Sequence, residues 1–253
     1  VKKIHTEAFQ HCTSLASITI PDGVEVLGAS VFLGCENLTS ITLPNSVKKI
    51  GFMTFDSCTN LTSISIPDSV TEIEGSLFYN CTNLTSINLP DSITKIGNRP
   101  FYNCTSLTSI KIPDGVTEIG DSALSECTKL TSLTIPNSVT KIGHFAFKNC
   151  TNLTSITLPN GISKIDFDTF ENCTSLTSLT IPDNVTKIGV HAFVNCTSLT
   201  TVAIPNGDVD IFYDAFENTP NLTVYCPRGS AAWKTCKKNK VAVKDIKHLN
   251  TFS

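Results

Sequence analysis

The 253-residue chain is short of charge, with Asp, Glu, Lys and Arg making up only 16% of it. It holds one methionine and one tryptophan. No run of about eighteen apolar residues occurs, so no segment reads as a membrane-spanning helix. No signal peptide is recognisable. The chain opens on Val1-Lys-Lys-Ile4, which matches Val47-Lys-Lys-Ile50 further along. It is therefore expected to be a piece cut within a repeat or a processed product, and its start carries no targeting information. There is no Cys-x-x-Cys or Cys/His cluster, which argues against zinc. There is no Gly-rich phosphate loop, no His-Glu-x-x-His and no nucleophile elbow. His5, His11, His144, His191 and His248 are dispersed. No enzyme, metal or cofactor is expected from these residues.

What the chain has is a period of 23. Cysteines recur at 12, 35, 58, 81, 104, 127, 150, 173 and 196, and prolines at 21, 44, 67, 90, 113, 136, 159, 182 and 205. A fixed period of this length is the mark of a solenoid whose units stack only on their neighbours. One apolar column runs Leu15, Leu38, Leu61, Leu84, Leu107, Leu130, Leu153, Leu176, Leu199, Leu222. Two more follow three and five residues later, as in Ile64 and Ile66. This L-x-x-I-x-I/L pattern opens a leucine-rich repeat, and its last two apolar positions alternate along a short strand. A Phe column closes each unit: Phe9, Phe32, Phe55, Phe78, Phe101, Leu124, Phe147, Phe170, Phe193, Phe216.

Each unit reads as a strand, a Pro-Asp/Asn-Ser/Gly turn, a second extended piece such as Val-Thr-Lys-Ile, and a turn of about eight residues. That last stretch has room for one or two helical turns. Nine of the eleven cysteines share one column, where stacked side chains point the same way; they read as buried thiols filling the core rather than as a disulfide frame. Cys226 and Cys236 lie outside that column and could pair. Asp and Asn at the turn column are explained by turn chemistry without Ca²⁺. Residues 226–253 hold seven basic residues and one acidic, leaving twelve basic against twenty-one acidic in the remainder. The basic lysines adjoin an expected cap and carry no nucleic-acid motif, so nucleic acid is not expected as a partner. Asp208 falls in the apolar Val column, and Trp233, on a short predicted helix over 230–239, is expected to cover the core's end.

Two surfaces are candidates for binding. Outward strand positions are small and polar, among them Ser86, Asn88, Ser109, Lys111, Thr134 and Thr157. Phe52, Phe145, Phe167, Phe212 and Tyr213 lie between the Gly and Phe columns, outside the core pattern, and binding surfaces favour such aromatics. A further column, Lys49, Glu72, Lys95, Glu118, Lys141, Lys164, Lys187, Asp210, reads as solvated charge pairing between units.

The repeated run Cys-Thr-Asn-Leu-Thr-Ser-Ile-x-Ile/Leu-Pro-Asp/Asn-Ser-Val-Thr-Lys-Ile-Gly-x-x-Ala-Phe-x-Asn resembles the BspA-like leucine-rich repeat of microbial surface antigens, related to the treponemal type. The resemblance covers about residues 1–225. The ending Tyr225-Cys226-Pro227-Arg-Gly-Ser-Ala-Ala-Trp233-Lys resembles that family's closing segment, with Cys226 in place of an apolar residue. It implies a leucine-rich repeat solenoid, an α/β right-handed superhelix with a parallel sheet of about ten short strands and short helical turns outside. The expected division is 1–225 solenoid and 226–253 capping segment. The resemblance also implies a secreted or cell-surface adhesin binding host matrix proteins of the fibronectin or fibrinogen type, with roles in attachment and innate immune recognition. A rigid spacer displaying another domain is the alternative.

Overall fold

The computed structural model describes residues 2–249. Val1, assigned to the first unit, and residues 250–253, assigned to the capping segment, lie outside the described residues. Each 23-residue unit makes one coil. Leu153 leads into a first strand, Ser155–Thr157. Pro159-Asn160-Gly161 turns the chain, and Lys164–Ile165 forms a second strand. A run of turns from Phe167 to Asn172 then delivers Cys173 to the next coil. Consecutive coils pair in parallel at the 23-residue step: Ser132, Leu133 and Thr134 face Ser155, Ile156 and Thr157, and Glu118 and Ile119 face Lys141 and Ile142. Side chains alternate across a strand, so Ile156 points inward while Ser155 and Thr157 face solvent.

The two strand rows are not continuous sheets. The ten two-residue strands of the second row fall into three groups, and the first row breaks into three pairs and one four-stranded set. Residues 109–111 form no strand. Across the first break the step is kept by the flanking backbone, where the Thr62 N–H donates to the Thr39 carbonyl at 3.3 Å. The outer segments also stop short of helix: the one α-helix among the described residues, α1, is Ala231–Lys238. Two residues per coil take the left-handed conformation, for example Asp168 (φ 52°) and Asn172 (φ 59°). A left-handed residue twice in five positions stops a right-handed helix from propagating.

Coil stacking turns each apolar column into a spine. Leu38 through Leu199 of the leucine column are fully buried. The Phe rings lie face over face, with centroids between 5.2 Å (Phe170–Phe193) and 5.7 Å (Phe78–Phe101). Leu124 interrupts that stack without opening it, being 1% exposed. Asn side chains in the second left-handed position form an amide ladder, Asn103 Nδ2 donating to Asn80 Oδ1 at 2.9 Å and Asn195 Nδ2 to Asn172 Oδ1 at 2.8 Å. Asn tolerates that backbone better than most residues, so one residue type satisfies the turn and joins the coils.

The thiols form a second ladder. Each Sγ from Cys35 to Cys196 donates to a carbonyl of the Phe column 26 residues earlier, at 3.0 to 3.2 Å. All eleven cysteines are free, and Cys12 alone among them is exposed. The pairing open to Cys226 and Cys236 is therefore not made; Cys226 is a buried filler in Thr223–Cys226 and Cys236 lies on the buried side of α1.

The charge column pairs as expected in part. Glu118 meets Lys95 at 3.6 Å and Lys141 at 2.5 Å, and the hydrogen bond from Lys141 holds its carboxyl below the usual range. Lys49 reaches Glu74, not Glu72. Such surface pairs contribute about 0–1 kcal/mol each, so they mark the register without driving the fold. At residue 208 the expected break in the core does not occur: Val209 is fully buried and Asp208 is exposed. The chain shifts by one residue there, filling the interior with an apolar side chain, and returns to register at Asp210 and Ile211.

The C-terminal end is closed by α1. Ser230 Oγ caps it by accepting the Trp233 N–H at 3.2 Å, as N-cap serines do. Ala232 and Cys236 are the buried residues of this helix. Trp233 is half-buried and packs against the core, with Lys237 Nζ 5.8 Å from its ring, so it shares the closing of the core's end with Ala232 and Cys236. Ala242–Asp245 then adds a parallel strand to Thr223–Cys226.

Two predictions follow from these spines. Leu107→Ala removes a fully buried side chain and should cost about 2–5 kcal/mol in urea unfolding; a loss under about 1 kcal/mol would contradict the packing described. For the thiols, burial pushes Cys150, Cys196 and Cys236 from the ordinary 9.0 up to about 12. Between those values the folded chain keeps protons that the unfolded chain loses. Stability is thus full below about pH 9 and falls as pH rises toward 12, by up to about 1.4 kcal/mol per thiol per pH unit. The urea midpoint should drop once pH passes about 9, and a flat profile up to pH 11 or so counts against protonated buried thiols.

Candidate interaction surface

The turn between the second strand and the Phe column is the tip of each coil. Its first residue is usually Gly because the coils touch there. A Cβ on Gly143 would lie 2.4 Å from Asp121 Oδ1 and 2.6 Å from the Gly120 carbonyl carbon. The first of the next two positions is exposed or half-buried, and the second ranges from exposed Phe145 to buried Ser30, Ser122 and Asp214. In order they are Ala29-Ser30, Phe52-Met53, Gly75-Ser76, Asn98-Arg99, Asp121-Ser122, His144-Phe145, Phe167-Asp168, Val190-His191 and Tyr213-Asp214.

Among the described residues, the large apolar side chains that remain exposed all stand here: Phe52 at 52%, Phe145 at 36%, Phe167 at 41% and Tyr213 at 79%. Phe212 does not join them. It packs against the core, with Lys187 Nζ 4.9 Å from its ring. Phe52 stands alone between Ala29 and Gly75. Phe145 and Phe167 are neighbours, the Phe145 N–H donating to the Phe167 carbonyl at 3.0 Å. His144 stacks on Phe167 with centroids 5.0 Å apart.

Beside these rings lie carboxylates that the sequence reading did not group with them. Asp166 stands where most coils have Gly, and it is 8% exposed. Its Oδ2 meets Lys164 Nζ at 2.5 Å, and its Oδ1 accepts the Phe167 N–H at 3.0 Å. His144 Nδ1 is 3.1 Å from the same Oδ1, within ion-pair distance but without hydrogen-bond alignment. His191 bridges two coils, with Nδ1 3.4 Å from Asp168 and Nε2 3.5 Å from Asp214. Burial and the neighbouring Glu171 raise the Asp168 carboxyl. The histidines are dispersed as expected, yet His144 meets an aspartate of the next coil and His191 one on either side. The exchange of Gly for Asp166 was the signal in the sequence.

Within the charge column, the consecutive lysines Lys141, Lys164 and Lys187 do not form a free basic stripe. Lys141 is tied to Glu118, Lys164 to Asp166, and Lys187 covers Phe212. Among the described residues no group of three or more His, Cys, Asp or Glu is placed to hold a metal ion.

The other candidates, Ser86, Asn88, Ser109, Lys111, Thr134 and Thr157, are all exposed along the first strand row. Lys111 Nζ lies 3.5 Å from Asp91. The row carries only open, shallow depressions, such as one of about 390 Å³ bordered by Thr157, Asn160, Thr180 and Pro182. The structure thus places the two candidate sets on different stretches of the coil, the strand row and the tip.

A leucine spine buried by stacked coils of parallel strands defines a leucine-rich repeat protein. The family model for the BspA type leucine rich repeat region matches in six copies over residues 2–131 and 117–230, and the chain belongs to that family. Solved structures share the fold. A leucine-rich repeat protein from Bacteroides ovatus is 28% identical with a TM-score of 0.68, over 84% of this chain and 64% of that one. The Treponema pallidum leucine rich repeat protein is 30% identical with a TM-score of 0.57, over 73% of this chain and 78% of that one. A leucine rich cell surface protein from Faecalibacterium prausnitzii is 29% identical with a TM-score of 0.50, over 92% and 78%. The chain thus spans less than two thirds of the Bacteroides ovatus protein's length. A search of curated proteins returned no match.

The close approach at the tip gives a test. Gly143→Ala forces backbone contacts apart and should cost about 1–3 kcal/mol. Thermal melting that leaves the variant equal to the parent would refute the close contact.

Proposed function

We propose that this is a non-enzymatic protein, secreted or displayed at a cell surface, that binds other proteins and serves in attachment to host matrix or cell-surface proteins. The observation that carries this reading is the set of aromatic side chains held outside the core at the coil tips. A solenoid that needed no partner would bury or omit them, since exposed apolar groups cluster where proteins interact. Membership of the BspA-type family supports it, as does the cell-surface description of the Faecalibacterium prausnitzii protein. No helix among the described residues is long and apolar enough to cross a membrane; attachment to a cell would rest on something other than these helices.

A spacer that displays another domain is the second reading. The regular ring stack from Phe9 to Phe101, tilted by only 3° to 9° between neighbours, favours it by making the coils a stiff rod.

Surface plasmon resonance on immobilised fibronectin and fibrinogen separates the two. Saturable binding in the micromolar range or tighter (roughly −8 kcal/mol) is expected. No saturable signal on either protein, from a chain with a cooperative melt, would favour the spacer.

A further inference from the structure

We propose that the tips of the sixth to ninth full coils, carrying His144, Phe145, Phe167, Val190 and Tyr213, form one ridge. Its occupant is a segment of a partner protein bearing an apolar side chain beside a basic one. This rests on the protein-binding reading above and adds the place and the partner's chemistry.

The fold does not require aromatics at these positions. In earlier coils the same first position holds Gly75, Asn98 and Asp121. Asn98 Oδ1 accepts the Asp121 N–H at 2.8 Å, and Asp121 Oδ1 accepts the His144 N–H at 2.9 Å. Small polar residues therefore close this turn and bond the next coil as well. From His144 onward they give way to rings and a Val.

Backbone conformation points the same way. Phe145 sits at φ 59°, a position filled by Ser30, Ser76, Ser122 and Asp168 and also by the larger Met53, Arg99 and His191 in other coils. A bulky residue is disfavoured in this region, and strain of this kind collects at functional positions. The ring it carries is partly exposed and lies over Lys148 at 5.5 Å, so it is not repaid by full burial.

Charge selects the partner. The cations of the ridge are engaged already: Lys164 with Asp166, Lys148 with Glu171, and Lys187 with the Phe212 ring. Asp168 and Asp214 flank the imidazole of His191, and Glu171 and Lys148 also lie beside Asp168. Acidic groups are thus in excess beside open aromatic faces. Such faces also attract Arg and Lys, and a negative field steers basic segments toward them.

The test uses the full chain and a phage-displayed library of random linear peptides, followed by synthesis of the selected peptides and anisotropy titration. Selected peptides should be rich in Arg or Lys next to Trp, Phe or Leu. Phe167→Ser and Phe145→Asn should each weaken them about tenfold or more, whereas Thr134→Arg on the strand row should leave binding within about twofold. Phe145→Asn should melt no lower than the parent, because Asn accepts the left-handed backbone. A marked fall in its melting temperature would make the ring a packing residue and overturn the proposal. Selected peptides of acidic composition would overturn the partner chemistry. Peptides lost on Thr134→Arg but kept by Phe167→Ser would move the site to the strand row and leave the protein-binding reading intact. A library yielding no binder, together with no binding to the matrix proteins, would remove both.

Discussion

Superposition of like side chains at a constant 23-residue step is the constraint on which this structure rests. One coil alone would expose its Leu, Ile and Phe to water. Stacked, those residues become columns that merge into one buried cluster. Stability then accrues from neighbour to neighbour rather than from a single centre. The same step recurs from Ser155 over Ser132 in the first row to Asn195 over Asn172 at the outer turn, and the thiol bonds, spanning 26 residues, repeat at it. A change in coil length would move all of these columns at once. At residues 208–209 the chain absorbs a one-residue shift locally and is back in register two residues later. Such a shift is tolerated because it falls in a turn, where no ladder bond is lost.

The columns that build the fold were legible because stacking writes them into the sequence at a fixed period. Leu84 and Leu107, Phe78 and Phe101, Cys81 and Cys104 could each be read one coil apart without knowing a dihedral angle. The outer turns were less legible. Their helical appearance in sequence came from spacing and from Ala-Phe pairs, whereas the chain there alternates right- and left-handed residues. Asn at one of the two left-handed positions is a usable sign; Met53, Phe145 and His191 at the other are not, since these residues seldom adopt it. In the closing segment, size pointed to Trp233 as the cover for the core, and the indole does pack against it, while the helix N-cap at Ser230 also turns Ala232 and Cys236 inward.

The candidate site was visible as an excess of aromatics and invisible as a charge arrangement. Periodicity shows which positions are free to vary, and the tip columns vary more than any other. It does not show that Asp166 replaces a glycine where coils nearly touch, or that His191 spans two aspartates from different coils. Those relations depend on the approach of neighbouring backbones, which a single repeat does not encode. Phe212 illustrates the limit: it shares the composition of its exposed neighbours, but it occupies the inward, glycine position of its coil and packs against the core.

The division of labour within a coil follows from this. Leu, Ile, Phe and Cys face neighbours on both sides, so each of their positions is dictated twice. The first-row hydroxyls face solvent but sit on strands whose backbone is dictated. At the tips the backbone is fixed by ladder bonds, as when Phe145 bonds to the Phe167 carbonyl, while the side chain has no counterpart to match. Sequence change there disturbs few contacts, so recognition can be altered without disturbing the spine. A rigid stack with variable tips can present different side chains at a fixed separation along its length. Placing bulky residues in left-handed positions is disfavoured, and an array of buried spines is what lets the chain tolerate it.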